Sequence, residues 1–279
     1  MLDGLPLSER VIEANGVATT VLEAGAGSPL VLLHGGIECG GPMWAPVVAG
    51  LAAHHRLVIP DLPGLGESAP VDRLDVDTFA AWFAALLEHS EVERPAVVAH
   101  SLTGSLAARA AADGRLSASQ LVVYAGPAVG PYRIPVGLRH AAVRFAIRPS
   151  EPNAERFERF ALLDRDATRQ RDPDWYDAFS AYVRACARRP YTKRTMRRLV
   201  AAQTKSIAAA ELDRITIPTA LLWGRHDRMA PLAIAEHAAA RHGWPLHVVD
   251  DVAHAPHIER PGAFVEALGA LLAAQPAPS

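Results

Sequence analysis

The chain has 279 residues, with 28 Lys+Arg against 30 Asp+Glu and a net charge of −2. Near-neutral charge excludes a protein whose whole surface attracts nucleic acid, and the composition excludes collagen-like, disordered and disulfide-scaffold classes. Two cysteines, Cys39 and Cys186, are too few for a disulfide framework and too far apart for a zinc knuckle. The length allows one large domain or two small ones, either with a substantial core.

The N-terminus has no basic segment followed by an apolar stretch, and no uncharged apolar run reaches about 18 residues. The sequence therefore predicts a soluble, cytoplasmic protein without a signal peptide or transmembrane helix. We expect its partner to be a small-molecule substrate, and neither nucleic acid nor a membrane. The oligomeric state stays open between a monomer and a homodimer.

Two apolar periodicities alternate along the chain. Residues 10–14 and 17–23, joined at Asn15-Gly16, predict an antiparallel hairpin. Continuous apolar runs of strand length follow at 29–33, 56–59, 95–99, 121–124, 219–223 and 245–249. Stretches with helical periodicity lie at 43–53, 76–88, 105–112, 232–241 and 263–274. Buried strands that alternate with helices predict an α/β fold with a mostly parallel, doubly wound sheet.

Residues 131–205 interrupt this alternation. They have a helical pattern, no convincing strand, and 17 Arg+Lys against 8 Asp+Glu. Their net charge of +9 leaves −11 for the rest of a chain whose total is −2. We predict a helical cap over residues 131–205, inserted into a core domain of residues 1–130 and 206–279. A basic cap could attract an anionic substrate, although charged helix faces are usually only solvated.

Three predicted strands are each followed by a residue type that serves nucleophilic catalysis. Ser101 follows 95–99, Asp227 follows 219–223, and His254 follows 245–249. Ligands of open α/β sheets bind at these strand ends. A hydroxyl nucleophile needs an imidazole to take its proton and a carboxylate to orient that imidazole. We therefore predict Ser101 as nucleophile, Asp227 as acid and His254 as base. Taken alone, Ser101 would fit a helix N-cap equally well.

Glycines follow the predicted strand 29–33 and allow a substrate to approach the backbone. We predict that the N–H groups of Gly36 and Leu102 form an oxyanion hole. Gly35, Trp44 and Tyr124 are candidate substrate contacts, although aromatic residues at such positions more often belong to the core.

The chain resembles the α/β-hydrolase superfamily, in particular its cap-bearing esterases, lactonases and C–C hydrolases, over roughly residues 17–273. The motifs that carry the resemblance are Leu32-Leu-His-Gly-Gly36, Asp61-Leu-Pro-Gly-Leu-Gly-Glu-Ser68, Ala99-His-Ser-Leu-Thr103, Leu222-Trp-Gly-Arg-His-Asp227 and Ala253-His-Ala-Pro-His-Ile-Glu-Arg-Pro261. The resemblance implies the α/β-hydrolase fold and the family's triad roles for Ser101, Asp227 and His254. We expect no cofactor and no metal.

The sequence departs from the family pattern around the nucleophile. The usual motif is G-x-S-x-G, but Ala99 and Thr103 occupy its glycine positions. A β-branched Thr103 is expected to crowd the tight turn, with Gly104 next to it relieving the strain. Glu38 and Cys39, just after the glycine loop, add a carboxylate and a thiol whose roles the sequence leaves open.

Rival residues and functions remain. His226 is the main rival base, and His257 could suggest a metal pair, although no H-E-x-x-H motif accompanies it. The leading hypothesis is a cofactor-independent hydrolase for an ester, a lactone or a C–C bond next to a carbonyl, in a moderate-sized molecule that could be anionic. The alternatives are a lyase, cyclase or cofactor-free oxygenase with His254 and Asp227 as base pair, and a non-catalytic small-molecule receptor.

Overall fold

The computed structural model describes residue 2 and residues 4–36 and 40–274. Across these residues, eight strands form one sheet in the order β1-β2-β4-β3-β5-β6-β7-β8. The strands are β1 Ser8–Ala14, β2 Val17–Ala24, β3 Ser28–Leu33, β4 His55–Pro60, β5 Ala96–His100, β6 Gln120–Tyr124, β7 Thr219–Gly224 and β8 Leu246–Val249. The strands from β3 to β8 run parallel, and β2 pairs antiparallel with β1 and β4. The predicted α/β class with a mostly parallel sheet is confirmed.

The first two strands form the predicted hairpin. Ala14 pairs with Val17, and the two turn residues Asn15 and Gly16 have φ values of 51° and 76°. Positive φ at both central positions is the geometry of a type I′ turn, whose twist matches that of the flanking strands. The hairpin adds the antiparallel edge to an otherwise parallel sheet.

Helices connect the parallel strands and cover the sheet. Those outside residues 131–205 are α1 Ala45–Ala52, α2 Val76–His89, α3 Ser101–Ala112, α9 Ala209–Leu212, α10 Ala233–His242, α11 Pro256–Glu259 and α12 Pro261–Ala273, with short 3-10 helices at Gly41–Trp44 and Pro127–Val129. Every residue of β6 and β7 is buried, which explains why these strands are continuous apolar runs. The helix predicted at 105–112 begins four residues earlier, at Ser101, directly after β5.

A helical insertion separates β6 from β7. Its helices are α4 Val136–Ile147, α5 Glu151–Ala161, α6 Arg165–Arg171, α7 Pro173–Cys186 and α8 Pro190–Gln203. Asp164 and Asp172 cap the N-termini of α6 and α7 by accepting hydrogen bonds from the backbone N–H groups of Ala167 and Trp175. The helical content of this segment therefore agrees with its sequence pattern. Among the described residues, no helix is both long and apolar enough to cross a bilayer.

Two of the contacts between the insertion and the rest of the chain lie on loops that follow strands of the sheet. At one, Arg189 donates hydrogen bonds to the carbonyl of Gly66 (2.7 Å) and to the carboxylate of Glu67 (2.8 Å). At the other, the carbonyl of Ala161, at the end of α5, accepts a hydrogen bond from the backbone N–H of His254 (2.9 Å). The insertion thus contacts the loop of a predicted catalytic residue directly.

Candidate active site

The turn between β5 and α3 lifts Ser101 out of the sheet edge. Ser101 has a φ of 56°, in the left-handed region that non-glycine residues rarely adopt, whereas His100 before it is extended. A strained strand-to-helix turn of this kind exposes the hydroxyl to the cavity above the sheet. The Ser101 residue is 8% exposed, so a substrate can reach it while bulk water is mostly excluded.

Close packing behind the turn depends on Gly104. A Cβ atom on Gly104 would lie 2.6 Å from the carbonyl oxygen of Ala99 and 3.4 Å from the Cα of Gly126. Because real Cβ contacts are not that short, the position accepts only glycine without movement of the strand. Gly104 therefore allows the start of α3 to pack closely against the end of β5.

Thr103 does not crowd the turn, so that expectation is wrong. Its side chain is fully buried, and its hydroxyl donates a hydrogen bond to the carbonyl oxygen of His34 at 2.7 Å. The hydroxyl thus has a partner at the end of β3, where the glycine loop begins. Thr103 ties the nucleophile turn to the loop that carries Gly36.

The three predicted catalytic side chains form one hydrogen-bonded chain. Nε2 of His254 lies 2.9 Å from Oγ of Ser101, and Nδ1 of His254 lies 2.7 Å from Oδ2 of Asp227. The other oxygen of Asp227 accepts hydrogen bonds from the N–H groups of Met229 and Ala230, both at 2.8 Å. These bonds orient the carboxylate, and the carboxylate in turn orients the imidazole.

The loop that carries His254 is held by the sheet and the insertion together. A Cβ atom on Gly224 would lie 1.8 Å from the carbonyl oxygen of Ala253, so only glycine lets the end of β7 approach this loop. The carboxylate of Glu259 accepts hydrogen bonds from the N–H groups of Ala253 (2.7 Å) and of Leu163 in the insertion (2.6 Å). Burial raises the pKa of Glu259.

A group of buried rings packs behind the imidazole of His254. Nε2 of His100 lies 3.1 Å from the carbonyl oxygen of His254, and Nδ1 of His257 lies 2.7 Å from the hydroxyl of Tyr124. Burial lowers the pKa of His257 to about 3 and that of His100 well below its ordinary value. Both rings are therefore neutral at pH 7, and they add no positive charge next to the triad.

Trp44 and Tyr124 belong to this buried group and do not contact the cavity, so their assignment as substrate contacts is corrected. Both side chains are fully buried, and the ring of Trp44 lies 4.7 Å from that of His257. Their rings pack against His257, beneath the loop that carries His254, and so they lie on the far side of that loop from the cavity. Gly35 is also buried, and its carbonyl accepts a hydrogen bond from Nδ1 of His34 (2.6 Å).

The rival histidines are placed away from the hydroxyl of Ser101. His226 is exposed, and its backbone N–H donates to the carbonyl of Val252. His257 is bonded to Tyr124 and is buried beneath the catalytic loop. Of the described histidines, His254 is the one whose imidazole lies within hydrogen-bond distance of Ser101.

Gly36 and Leu102 lie next to each other beside Ser101. A Cβ atom on Gly36 would lie 3.0 Å from Cδ1 of Leu102 and 2.8 Å from Cε of Met196. The N–H of Leu102 belongs to the first turn of α3, where helical N–H groups have no partner within the helix. The neighbouring Glu38 and Cys39 lie outside the described residues.

Asp61 holds the backbone of the loops that follow β3 and β4. Its carboxylate accepts hydrogen bonds from the N–H groups of Gly41 (2.6 Å) and Glu67 (2.7 Å). Burial raises the pKa of Asp61 to about 6. His34 accepts a hydrogen bond at Nε2 from the N–H of Leu62 (3.0 Å), and burial lowers its pKa to about 4. These contacts connect the loops after β3 and β4.

A cavity of about 150 Å³ opens above the triad. Ser101, His254, Gly36 and Leu102 line it on the side of the sheet, and Arg139 is the charged residue among its described lining residues. The insertion supplies apolar walls from Leu138, Ala142, Val143, Phe157 and Val200. Tyr132 and Met229 complete the wall, and the Tyr132 hydroxyl donates to the Met229 carbonyl at 2.8 Å. The arrangement places the hydroxyl of Ser101 and the imidazole of His254 at the base of an apolar recess.

Three residues of the site were not assigned this role from the sequence. Glu259 lies in a motif that carried the family resemblance, so its position was visible although its partners were not. Thr103 attracted notice only as a departure from the motif. Met196, which packs on Gly36, gave no signal, because its contact depends on how α8 lies over the sheet.

Comparisons with known proteins identify the family and the fold of the chain. Residues 30–267 match the model of the alpha/beta hydrolase family. The sequence is 28% identical over 249 residues to pimeloyl-[acyl-carrier protein] methyl ester esterase from Aliivibrio salmonicida, covering 88% of this chain and 92% of that protein. It is 25% identical over 287 residues to 2-hydroxy-6-oxo-2,4-heptadienoate hydrolase from Pseudomonas putida, covering 95% and 96%. The fold resembles that of carboxylesterase CesB from Bacillus subtilis, with a TM-score of 0.82, 19% identity, and coverage of 99% of this chain and 94% of that one.

Proposed function

The chain belongs to the alpha/beta hydrolase family, and on that premise we propose that it is a cofactor-independent serine hydrolase. Ser101 is the nucleophile, His254 the base and Asp227 the acid. The observation that carries the proposal is the hydrogen-bonded chain from Asp227 through His254 to Ser101, with distances of 2.7 and 2.9 Å. The positive φ of Ser101 supports it, because strain at a buried serine is typical of a nucleophile turn.

The first half of the reaction forms an acyl-enzyme. Oγ of Ser101 attacks the carbonyl carbon of the substrate, and its proton passes to Nε2 of His254. Asp227 stabilises the resulting imidazolium across the 2.7 Å bond to Nδ1. The N–H groups of Gly36 and Leu102 donate to the oxygen that becomes negative. The bond to the leaving group then breaks, and His254 returns the proton to that group.

The second half of the reaction regenerates the serine. Water takes the place of the leaving group, and His254 removes a proton from it as the water attacks the acyl carbon. The new carbonyl compound leaves after the bond to Oγ of Ser101 breaks, and Oγ recovers its proton from His254. Because the imidazole both accepts and donates a proton, its neutral form is the one that starts the cycle.

The proposed substrates are esters, lactones and ketones with a cleavable C–C bond next to the carbonyl. The apolar walls above Ser101 fit the carbon skeleton of such a moderate-sized molecule. The two sequence relatives are named as an ester esterase and as a heptadienoate hydrolase, which lie in this range of chemistry. The departure at Thr103, which was one motive for the lyase, cyclase or oxygenase alternative, is accommodated by its hydrogen bond to the carbonyl of His34.

The proposal is tested with a panel of p-nitrophenyl esters, lactones and vinylogous ketones. We expect turnover of at least one class by the wild-type protein, and a loss of at least about 10³-fold in kcat/KM for Ser101→Ala. Ser105→Ala is the matched control, because Ser105 lies one turn further along α3, where its hydroxyl accepts a hydrogen bond from Ala128. Equal activity of Ser101→Ala and the wild type on every substrate would refute the proposal.

A further inference from the structure

A second, larger recess lies on the outer side of the insertion. It has a volume of about 600 Å³ and runs between α4 and α8, and we call it the α4–α8 groove. Its apolar lining includes Val143, Ile147, Met196 and Val200. Val143 is 51% and Ile147 74% exposed. Contiguous exposed apolar surface of this kind marks a binding site more often than a solvated helix face.

The rim of the α4–α8 groove is positively charged. Lys193, Arg194 and Arg197 of α8 line it, and neither α4 nor α8 contains an Asp or Glu. No carboxylate among the described residues lies within ion-pair distance of these three side chains. Other cations of the insertion do have carboxylate partners, namely Arg165, Arg169 and Arg189. The rim cations are therefore available to an anion from outside.

The α4–α8 groove adjoins the cavity above the triad. Ala142, Val143 and Val200 line both recesses, so the two recesses share this part of their walls. Met196 lines the groove, and its Cε would lie 2.8 Å from a Cβ atom on Gly36. The inner end of the groove thus lies at the glycine loop. Val200 lines both recesses, at the junction between them. Lys193 lies seven residues before it along α8, which corresponds to about 10 Å.

We propose that the α4–α8 groove binds the apolar chain of a substrate whose far end carries a carboxylate or similar anion. This inference rests on the proposed serine hydrolase function and names its substrate class, a single-chain amphiphile with the reactive carbonyl at one end. The chain lies against Val143 and Ile147, and the anion lies at Lys193 and Arg197. A groove encloses one chain, and its inner end adjoins the catalytic cavity, which a bilayer surface cannot enter. A free amphiphile is therefore the occupant that fits.

The experiment measures binding of two matched ligands by calorimetry, with Ser101→Ala as the background so that neither ligand is hydrolysed. Monomethyl decanedioate is anionic, and dimethyl decanedioate has the same chain without the charge. We expect the anion to bind about 10-fold more tightly, because several exposed cations each contribute modestly. In Lys193→Gln/Arg197→Gln the two ligands should bind within about 2-fold of each other.

Arg159→Gln is the matched control, because Arg159 is an exposed cation of α5 outside the groove lining. It should keep the preference for the anion. Equal affinity for the two ligands, no binding of either, or the same loss in Arg159→Gln would overturn the proposal. Loss of binding to phosphatidylglycerol vesicles in the double variant, without any preference between the matched ligands, would assign the groove to a membrane and overturn it too.

Labelling of Ser101 by a small neutral fluorophosphonate separates this inference from the proposed function. We expect the same labelling rate in the wild type and in Lys193→Gln/Arg197→Gln. Failure of labelling in the wild type counts against the serine hydrolase, whereas the calorimetry still decides whether the groove selects an anionic chain. A further variant, Ala142→Phe, narrows the junction and should weaken binding of both decanedioates by about 5-fold or more.

Discussion

The sheet and the helical insertion differ in the kinds of residues that they present around the cavity. At the sheet, polar side chains near Ser101 are buried and hydrogen-bonded, and the geometry depends on glycines that accept no Cβ atom, such as Gly104 and Gly224. In the insertion, α4 and α8 carry exposed apolar side chains and cations that have no carboxylate partner among the described residues. Under the proposed function, this comparison assigns the reaction to the sheet edge and the choice of substrate to the insertion.

Within the insertion, the end of α5 and the helices α4 and α8 make different kinds of contacts. The end of α5 is bonded to the catalytic loop, since the carbonyl of Ala161 accepts from the N–H of His254 and Leu163 donates to Glu259. Arg171 also donates to the carbonyls of Ile258 and Glu259. The α4 and α8 helices instead form the walls of the cavity and the groove. One part of the insertion therefore holds the loop of His254, and in the proposed function the other part contacts the substrate.

The largest expected effect comes from Asp227→Asn. An amide can hold the imidazole in the wrong tautomer and cannot stabilise the imidazolium, so kcat/KM should fall by about 10⁴-fold. The change is nearly isosteric, so thermal unfolding should shift little. Asp250→Asn is the control, because Asp250 is an exposed carboxylate paired with Arg225 after β8. Comparable losses in the two variants would mean that the sheet edge does not set the reaction.

Acid should destabilise the protein through its buried histidines, all of which lie near the sheet. Burial lowers the pKa of His34 to about 4 and of His257 to about 3, from 6.5. Below pH 6.5 the unfolded chain therefore binds more protons than the folded protein does. The free energy of unfolding consequently falls as the pH is lowered. Asp61, with its pKa raised from 3.8 to about 6, acts in the opposite sense between those values. From His34, His257 and Asp61 together, the free energy of unfolding should fall by about 1 kcal/mol from pH 6 to pH 5, and the lowered pKa of His100 adds to the fall in the same direction.

Urea unfolding at a series of pH values checks this dependence. His257→Gln should reduce the change of unfolding free energy with pH by about 1.4 kcal/mol per pH unit. The reason is that the unfolded variant binds one proton fewer in this pH range. His237→Gln, which changes an exposed histidine of α10, should leave the slope unchanged. A slope that is the same in the wild type and in His257→Gln would show that this histidine is not held neutral by burial.

Gly104→Ala tests the close packing behind the nucleophile. The new methyl group would lie 2.6 Å from the carbonyl oxygen of Ala99, so the strand and helix must separate. We expect a loss of about 1–3 kcal/mol in unfolding free energy and a clear fall in kcat. Gly269→Ala in α12 meets no atom within 4 Å and should instead stabilise by about 0.5–1 kcal/mol. Similar changes in both variants would contradict the role of the turn.

The smallest effect is expected at the surface contact of the insertion. Arg189→Gln removes the hydrogen bonds to Gly66 and Glu67, but these groups are partly exposed. The cost should be within about 1 kcal/mol in unfolding free energy, with no more than a few-fold change in kcat/KM. Chemical denaturation and steady-state kinetics measure both quantities. A loss as large as that of Gly104→Ala would show that the insertion determines the core geometry.

Much of the fold followed from the sequence, because its signals are local. Continuous apolar runs placed the strands, and Asn15-Gly16 placed the first turn. The positions of Ser101, Asp227 and His254 after three strands also followed, since parallel strands bring their carboxyl ends to one edge. The bonds of Thr103 to His34 and of Glu259 to Leu163 did not, because each joins residues far apart in the chain. Trp44 and Tyr124 were placed wrongly for the same reason, since burial depends on what packs over them.

Mass spectrometry after treatment with a fluorophosphonate tests the central claim most directly, because it requires no knowledge of the substrate. We predict one adduct per chain, located on the peptide that contains Ser101, and its loss in His254→Ala. Thr103 and Gly104 remain in place in that variant, so the loss would report the missing base. An unmodified wild-type chain, or labelling of Ser101 that is equally fast without His254, would contradict the proposed triad.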